Sequence, residues 1–117
     1  MKEVILYWLP NCSTCQKAEK FLENQNVKIS EFHNLKENPL PRKEVEKLAE
    51  KSGGADKLFS RRAIKYREMK LNERELSENE MLDLMSSEYT FIKRPVLVSG
   101  ESAIAGFSEK SYKEFLQ

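Results

Sequence analysis

A chain of 117 residues is long enough to bury a hydrophobic core without disulfide or metal support, and short enough to be one domain. With 39% hydrophobic and 33% charged residues the composition is that of a soluble globular protein, and 20 basic against 19 acidic residues leave a net charge of only +1. So even a balance excludes bulk attraction to nucleic acid or to an anionic membrane, and a polyanion would need a local patch. No apolar run approaches the roughly 20 residues of a membrane span. The opening MKEVILYWLP is too short and too soon interrupted to read as a signal peptide. The expectation is a cytoplasmic monomer in a reducing compartment, where a stable structural disulfide is disfavoured.

Val4-Ile5-Leu6-Tyr7-Trp8 is a continuous apolar run ended by Pro10 and Asn11, which predicts a buried parallel strand. Cys15, Ala18, Phe21 and Leu22 then recur at helical spacing and predict an amphipathic helix to about Asn24. Val27 to His33 reads as a second strand, which completes a βαβ unit. After the break at ENPLP, Val45, Leu48 and Ala49 place a helix from about Arg42 to Lys51, stopped by Gly53-Gly54. Residues 55 to 90 read as helical without a strand signal, and Ser77 with Glu80 forms a capping box for a helix carrying Met81, Leu82, Leu84 and Met85. Val96 to Val98 and Ala103 to Gly106 read as strands joined by a tight turn at Gly100. Ser108 caps a last helix with Tyr112, Phe115 and Leu116 inward. The order is βαβ, a helical insert, then ββα. With a CxxC after the first strand this is the thioredoxin-like arrangement, an α/β fold on a mixed four-stranded sheet flanked by helices.

Both cysteines of the chain lie in LPNCSTCQKAEKFL, residues 9 to 22. Cys12 falls at the helix start, where unpaired backbone N–H groups and the helix dipole favour a thiolate. Cys15 falls one turn later, on the buried side with Ala18 and Leu22. An exposed activated thiol backed by a buried one is what thiol–disulfide exchange requires: Cys12 attacks and Cys15 resolves. Zinc or an iron–sulfur cluster needs more ligands than two cysteines and the one histidine, His33, so no metal is expected. The plainer alternative is two cysteines packed as small apolar residues. Their position at a strand-to-helix junction favours the redox reading. His33 reads as a strand-end residue without an assigned role, and Trp8 as a packing residue at the same strand end as the thiols.

Two basic stretches follow, LFSRRAIKYREMKL (58–71) and FIKRPVLV (91–98). Arg61, Arg62, Lys65 and Arg67 read most simply as a solvated helical face. Arg94 differs, because it precedes Pro95 at the start of a strand. In thioredoxin-like folds that turn faces the active cysteine and its proline is cis, so Arg94 is expected to aim a guanidinium at Cys12.

NCSTCQKA, FSRRAIKYREMKLN, KRPVLV and GFSEKSYKEFL together resemble the arsenate reductase (ArsC) family, which includes the Spx regulators, over essentially the full length. The resemblance implies one ArsC/Spx-like domain, 1–117, with a thioredoxin-like core at 1–35 and 92–117 and a helical insert at 40–90. It implies Cys12 as nucleophile, Arg94 as anion- or thiolate-binding residue, and Pro95 as a structural residue of the site. Glutaredoxin-coupled arsenate reductases carry one cysteine and three arginines around the oxyanion. Here the first arginine position falls on Ser60, with Arg61 or Arg62 nearby, and the third on Gly106. Arsenate is therefore expected to be a poor substrate. Spx proteins share both cysteines of the CxxC; Arg62 matches an arginine of theirs, and Gly54 falls at the glycine of their RNA polymerase contact. The function expected is thiol–disulfide exchange with no bound cofactor, electrons coming from glutathione, glutaredoxin or thioredoxin. The alternative is a redox-sensing regulator that binds the RNA polymerase α subunit without touching nucleic acid itself.

Overall fold

The computed structural model describes residues 3–117; Met1 and Lys2, which begin the segment read for a leader, lie outside them. In chain order the elements are β1 (Glu3–Trp8), α1 (Ser13–Asn24), β2 (Lys28–Asn34), α2 (Arg42–Ser52), α3 (Ala55–Leu58), α4 (Ile64–Glu68), α5 (Glu78–Ser87), β3 (Val96–Ser99), β4 (Ser102–Ala105) and α6 (Glu109–Phe115). Two 3₁₀ turns, Leu71–Glu73 and Tyr89–Phe91, flank α5. The chain divides into two compact units: one is built from both chain ends, up to Asn38 and from Arg94 onward, the other from Pro39–Lys93.

The first unit is the mixed four-stranded sheet, ordered β2-β1-β3-β4. β1 and β2 run parallel, as a βαβ unit requires, whereas β3 is antiparallel to both β1 and β4. Val4 and Leu6 of β1 and Leu97 of β3 point to one face and form a core with Ala18, Phe21 and Leu22 of α1 and Tyr112 of α6. Each large apolar side chain buried there contributes about 1.5–3 kcal/mol. The α/β, thioredoxin-like arrangement anticipated from element order is the one observed. β1 departs from the buried-strand reading in detail: Val4 and Leu6 are fully buried, but Ile5, Tyr7 and Trp8 only half. β2 begins one residue later than predicted because Val27 closes α1, donating its N–H to the Leu22 carbonyl (3.0 Å). Asn26 makes that reversal in the left-handed region, φ 58°.

The second unit is helical. The predicted capping box is present: Ser77 Oγ accepts from the Glu80 N–H and the Glu80 carboxylate accepts from the Ser77 N–H, both at 3.1 Å. Arg42 ties the start of α2 to the first half of α5 and just beyond, donating to Asp83 and to Asn79 Oδ1 (3.0 Å) while its Nε meets Glu46 (2.9 Å). Gly53 and Gly54, with φ 97° and 131°, end α2 and open α3, so glycine at both is demanded by the backbone alone. The reading of 55–90 as helix needs correction. α3 and α4 are four- and five-residue pieces, and between them Phe59 forms an antiparallel bridge with Ile92. Ser60 donates to Phe91 O (2.7 Å) and Lys93 to Leu58 O (2.9 Å). Fully buried Phe59 stacks on Phe91 with centroids 5.4 Å apart. Burying two aromatic rings through an extended backbone outweighs local helix propensity, so Arg61 and Arg62 sit in a turn rather than on a helical face.

Candidate functional site

Because Tyr7 pairs with Val96 in antiparallel register, the residues leaving β1 and those entering β3 meet at one end of the sheet. Leu9 to Cys12 follow the first strand; Arg94 and Pro95 precede the second. The Arg94–Pro95 peptide is cis, as expected for this turn. Pro95 is buried, Arg94 half-buried, and the Pro95 carbonyl accepts from the Gly106 N–H at 2.8 Å. The first unit thus brings Cys12, Cys15, Arg94 and Pro95 together. Arg62 belongs to the second unit, where it is exposed and its backbone N–H donates to Ser60 Oγ (3.3 Å).

Cys12 is the N-cap of α1, with extended backbone at φ −89° and ψ 119°. Its Sγ accepts the Cys15 N–H at 3.4 Å, taking a place usually held by a serine, threonine or aspartate oxygen. A sulfur there faces unpaired N–H groups and the positive end of the dipole. The loop is braced by Cys12 N–H to Leu9 O (3.2 Å) and by the Gln16 amide to Pro10 O (2.7 Å). Cys12 is half-buried, Cys15 wholly buried, and both are free thiols. Burial, followed by the hydrogen bond and charge of Cys12, pushes the Cys15 thiol up to about 12; the Leu9 backbone and the Arg94 guanidinium pull it partly back.

Tyr112 was legible in the sequence only as a core residue, by its place on the inward face of α6. It is fully buried, packed edge-to-face on Phe21 and Phe107, and among the described residues its hydroxyl has no hydrogen-bond partner. A buried unmatched hydroxyl costs about 1–3 kcal/mol. Burial first and the Cys15 charge second hold its ionisation above the usual tyrosine range. His33 finds a structural place: it stacks on Tyr7 with centroids 4.8 Å apart, and its Nε2 lies 2.8 Å from Asn38 O. Trp8 packs on Phe32, centroids 4.6 Å apart. Among the described residues no three His, Cys, Asp or Glu side chains cluster as metal ligands, and no helix is long and apolar enough to cross a membrane.

The sequence profile of the ArsC family matches residues 7–115. The uncharacterized protein YusI of Bacillus subtilis is 41% identical over 111 residues, covering 92% of this chain and 93% of YusI. The global transcriptional regulator Spx of Streptococcus mutans is 30% identical over 97% of this chain and 82% of its own length. Among solved structures, SACOL0876 of Staphylococcus aureus superposes with a TM-score of 0.80 at 34% identity, over 95% of this chain and 96% of that one.

Proposed function

This chain belongs to the ArsC family, and from that premise we propose that it works as a thiol–disulfide oxidoreductase in which Cys12 attacks and Cys15 resolves. The Cys12 thiolate bonds to one sulfur of an oxidised substrate, and the other leaves with the bonding electron pair. Cys15 then attacks Cys12 Sγ, closing the Cys12–Cys15 disulfide and releasing the second substrate sulfur as a thiolate. Two electrons pass to the substrate, and glutathione, glutaredoxin or thioredoxin restores the dithiol without a bound cofactor. Arg94, with Arg62 as a second candidate, would hold the thiolate or an anionic group such as a glutathione carboxylate.

The observation that carries this reading is the inequality of the two sulfurs: Cys12 caps a helix and is half-buried, while Cys15 is buried one turn behind it. Arsenate fits poorly. Gly106 offers no side chain, and its φ of 84° strains any replacement. The test is turnover of a model disulfide, a glutathionylated peptide and arsenate, each with glutathione plus glutaredoxin or with thioredoxin. A sulfur substrate should be reduced by the protein and not by Cys12→Ser, with arsenate far below the usual enzymatic range of about 1–10³ s⁻¹. Arsenate turnover within that range, or sulfur-substrate turnover that survives Cys12→Ser, would refute the reading.

A second reading, a redox-sensing regulator switched by the same disulfide, is favoured by the Spx relative, which aligns with 97% of the chain. It predicts capture of the RNA polymerase α subunit in one redox state of the protein and not in the other.

A further inference from the structure

Leu9 to Cys12 form a four-residue turn, closed by the Cys12 N–H on Leu9 O at 3.2 Å, which hands the chain from β1 to the N-cap of α1. Such a turn has two common forms, types I and II, which differ by turning over the peptide between the central residues, here Pro10–Asn11. The sequence permits both. Proline suits the first central place in either form, and type II needs a positive φ at the next residue, which asparagine tolerates. Among the described non-glycine residues only Asn26 and Lys70 have a positive φ, so Asn11 does not take the type II form. One side chain holds that choice. The Gln16 amide donates to Pro10 O at 2.7 Å, and among the described residues this is the one hydrogen bond to the central peptide. Turning the peptide over would carry Pro10 O away from Gln16 and break the bond. Gln16 is itself fixed relative to the nucleophile, because its N–H donates to Cys12 O at 3.0 Å.

We propose that Gln16 is a positioning residue for the nucleophile, its exposed side-chain amide selecting, of the two turns that Leu9–Cys12 can form, the one that presents Cys12 Sγ at the head of α1. The proposal rests on the exchange reading above and adds to it. Gln16 exchanges no proton or electron; the reacting pair remains the Cys12 thiolate and a substrate sulfur. What Gln16 controls is the frame from which that sulfur attacks. Each peptide carries a dipole of about 3.5 D, so turning over the peptide that precedes Cys12 by one residue reverses a dipole beside the nucleophile. It also changes the backbone path by which the chain enters the N-cap. Without the Gln16 donor the turn divides between both forms, and attack by Cys12 falls with the population of the competent one.

Gln16→Met tests this, since it keeps an unbranched side chain at an exposed helical position and removes only the donor. The probe is 5,5′-dithiobis(2-nitrobenzoate) at pH 7, and the first thionitrobenzoate released reports attack by Cys12. That phase should slow about two- to tenfold, the range that one hydrogen bond spans, while the melting temperature holds. A second substitution separates turn selection from a general loosening of the helix. Asn11 is exposed, and Asn11→Thr puts there a β-branched residue that resists positive φ. It should leave the parent rate unchanged and restore the first phase in Gln16→Met. Asn11→Gly, which frees the type II form, should slow Gln16→Met further. A first phase in Gln16→Met equal to that of the parent, or a slowing that Asn11→Thr does not relieve, overturns the role of Gln16. Absence of a first phase in the parent protein overturns the assignment of Cys12, and this inference with it.

Discussion

Cys15 should be among the least reactive of thiols until Cys12 presents it with a disulfide. With its ionisation pushed up to about 12, its thiolate fraction at pH 7 is ~10⁻⁵, against about 3% for an unperturbed thiol near 8.5. A more basic thiolate is a better nucleophile, with a Brønsted slope of about 0.4–0.5, which recovers nearly half of that gap on a logarithmic scale. The remaining deficit is about a hundredfold in rate, before the barrier of full burial is added. The assay is the pH–rate profile of iodoacetamide labelling for the parent, Cys12→Ser and Cys15→Ser, read by mass spectrometry with glutathione as the reference thiol. Cys12 should label first. Removing Cys12 takes away its hydrogen bond and charge but not burial, the largest cause, so Cys15 in Cys12→Ser should react faster than in the parent yet well below glutathione. Labelling of Cys15 within a few-fold of glutathione at pH 7, or a profile that bends below about pH 9, would refute the argument.

Alkaline stability carries the same sign. An unfolded Cys15 ionises near the ordinary thiol value of about 8.5 while the buried one stays protonated toward about 12; the folded state then binds the extra proton, so stability is complete below the lower value and lost as pH rises between the two. The melting temperature of the reduced protein should fall from about pH 9 upward, and Cys15→Ala should flatten part of the fall. Arg94→Ala should push the Cys15 thiol further up and slow reopening of the Cys12–Cys15 disulfide by dithiothreitol, with the circular dichroism spectrum unchanged; an unchanged reopening rate would show that the guanidinium does not act on the pair. Ser77→Ala removes half of the capping box and should destabilise the protein by about 1 kcal/mol in urea titration.

What the sequence revealed was chiefly what neighbours along the chain decide. The N-cap place of Cys12, the inward face of α1 and the Ser77–Glu80 box depend on residues three or four apart, and all were readable. The bridge between Phe59 and Ile92 was not, since its drive is the stacking of rings brought together by tertiary packing. That bridge draws the Arg61–Arg62 pair into a turn. The unmatched hydroxyl of Tyr112 was equally hidden: helical spacing marks the residue as inward, but nothing local says that its oxygen ends without a hydrogen-bond partner among the described residues. Arg94 was found because the Arg-Pro pair opens a strand, a local signal, and a known topology supplied the rest.

The division of the chain has a consequence for how the protein comes into being. Pro39–Lys93 is contiguous, and its ties, such as Arg42 to Asp83 and Phe59 to Ile92, close within it, whereas the sheet joins β1 to β3 across the whole of that segment. Closing so long a loop carries an entropic cost that grows as the logarithm of its length, and non-local pairings form later than local ones. The helical segment is thus the natural first product of folding, and it contains neither cysteine. Cys15 gains its burial, and Arg94 its place near the thiols, only when the two chain ends meet. A nascent or partly folded chain carries two ordinary thiols, and the distinction between them is acquired in the last stage of assembly.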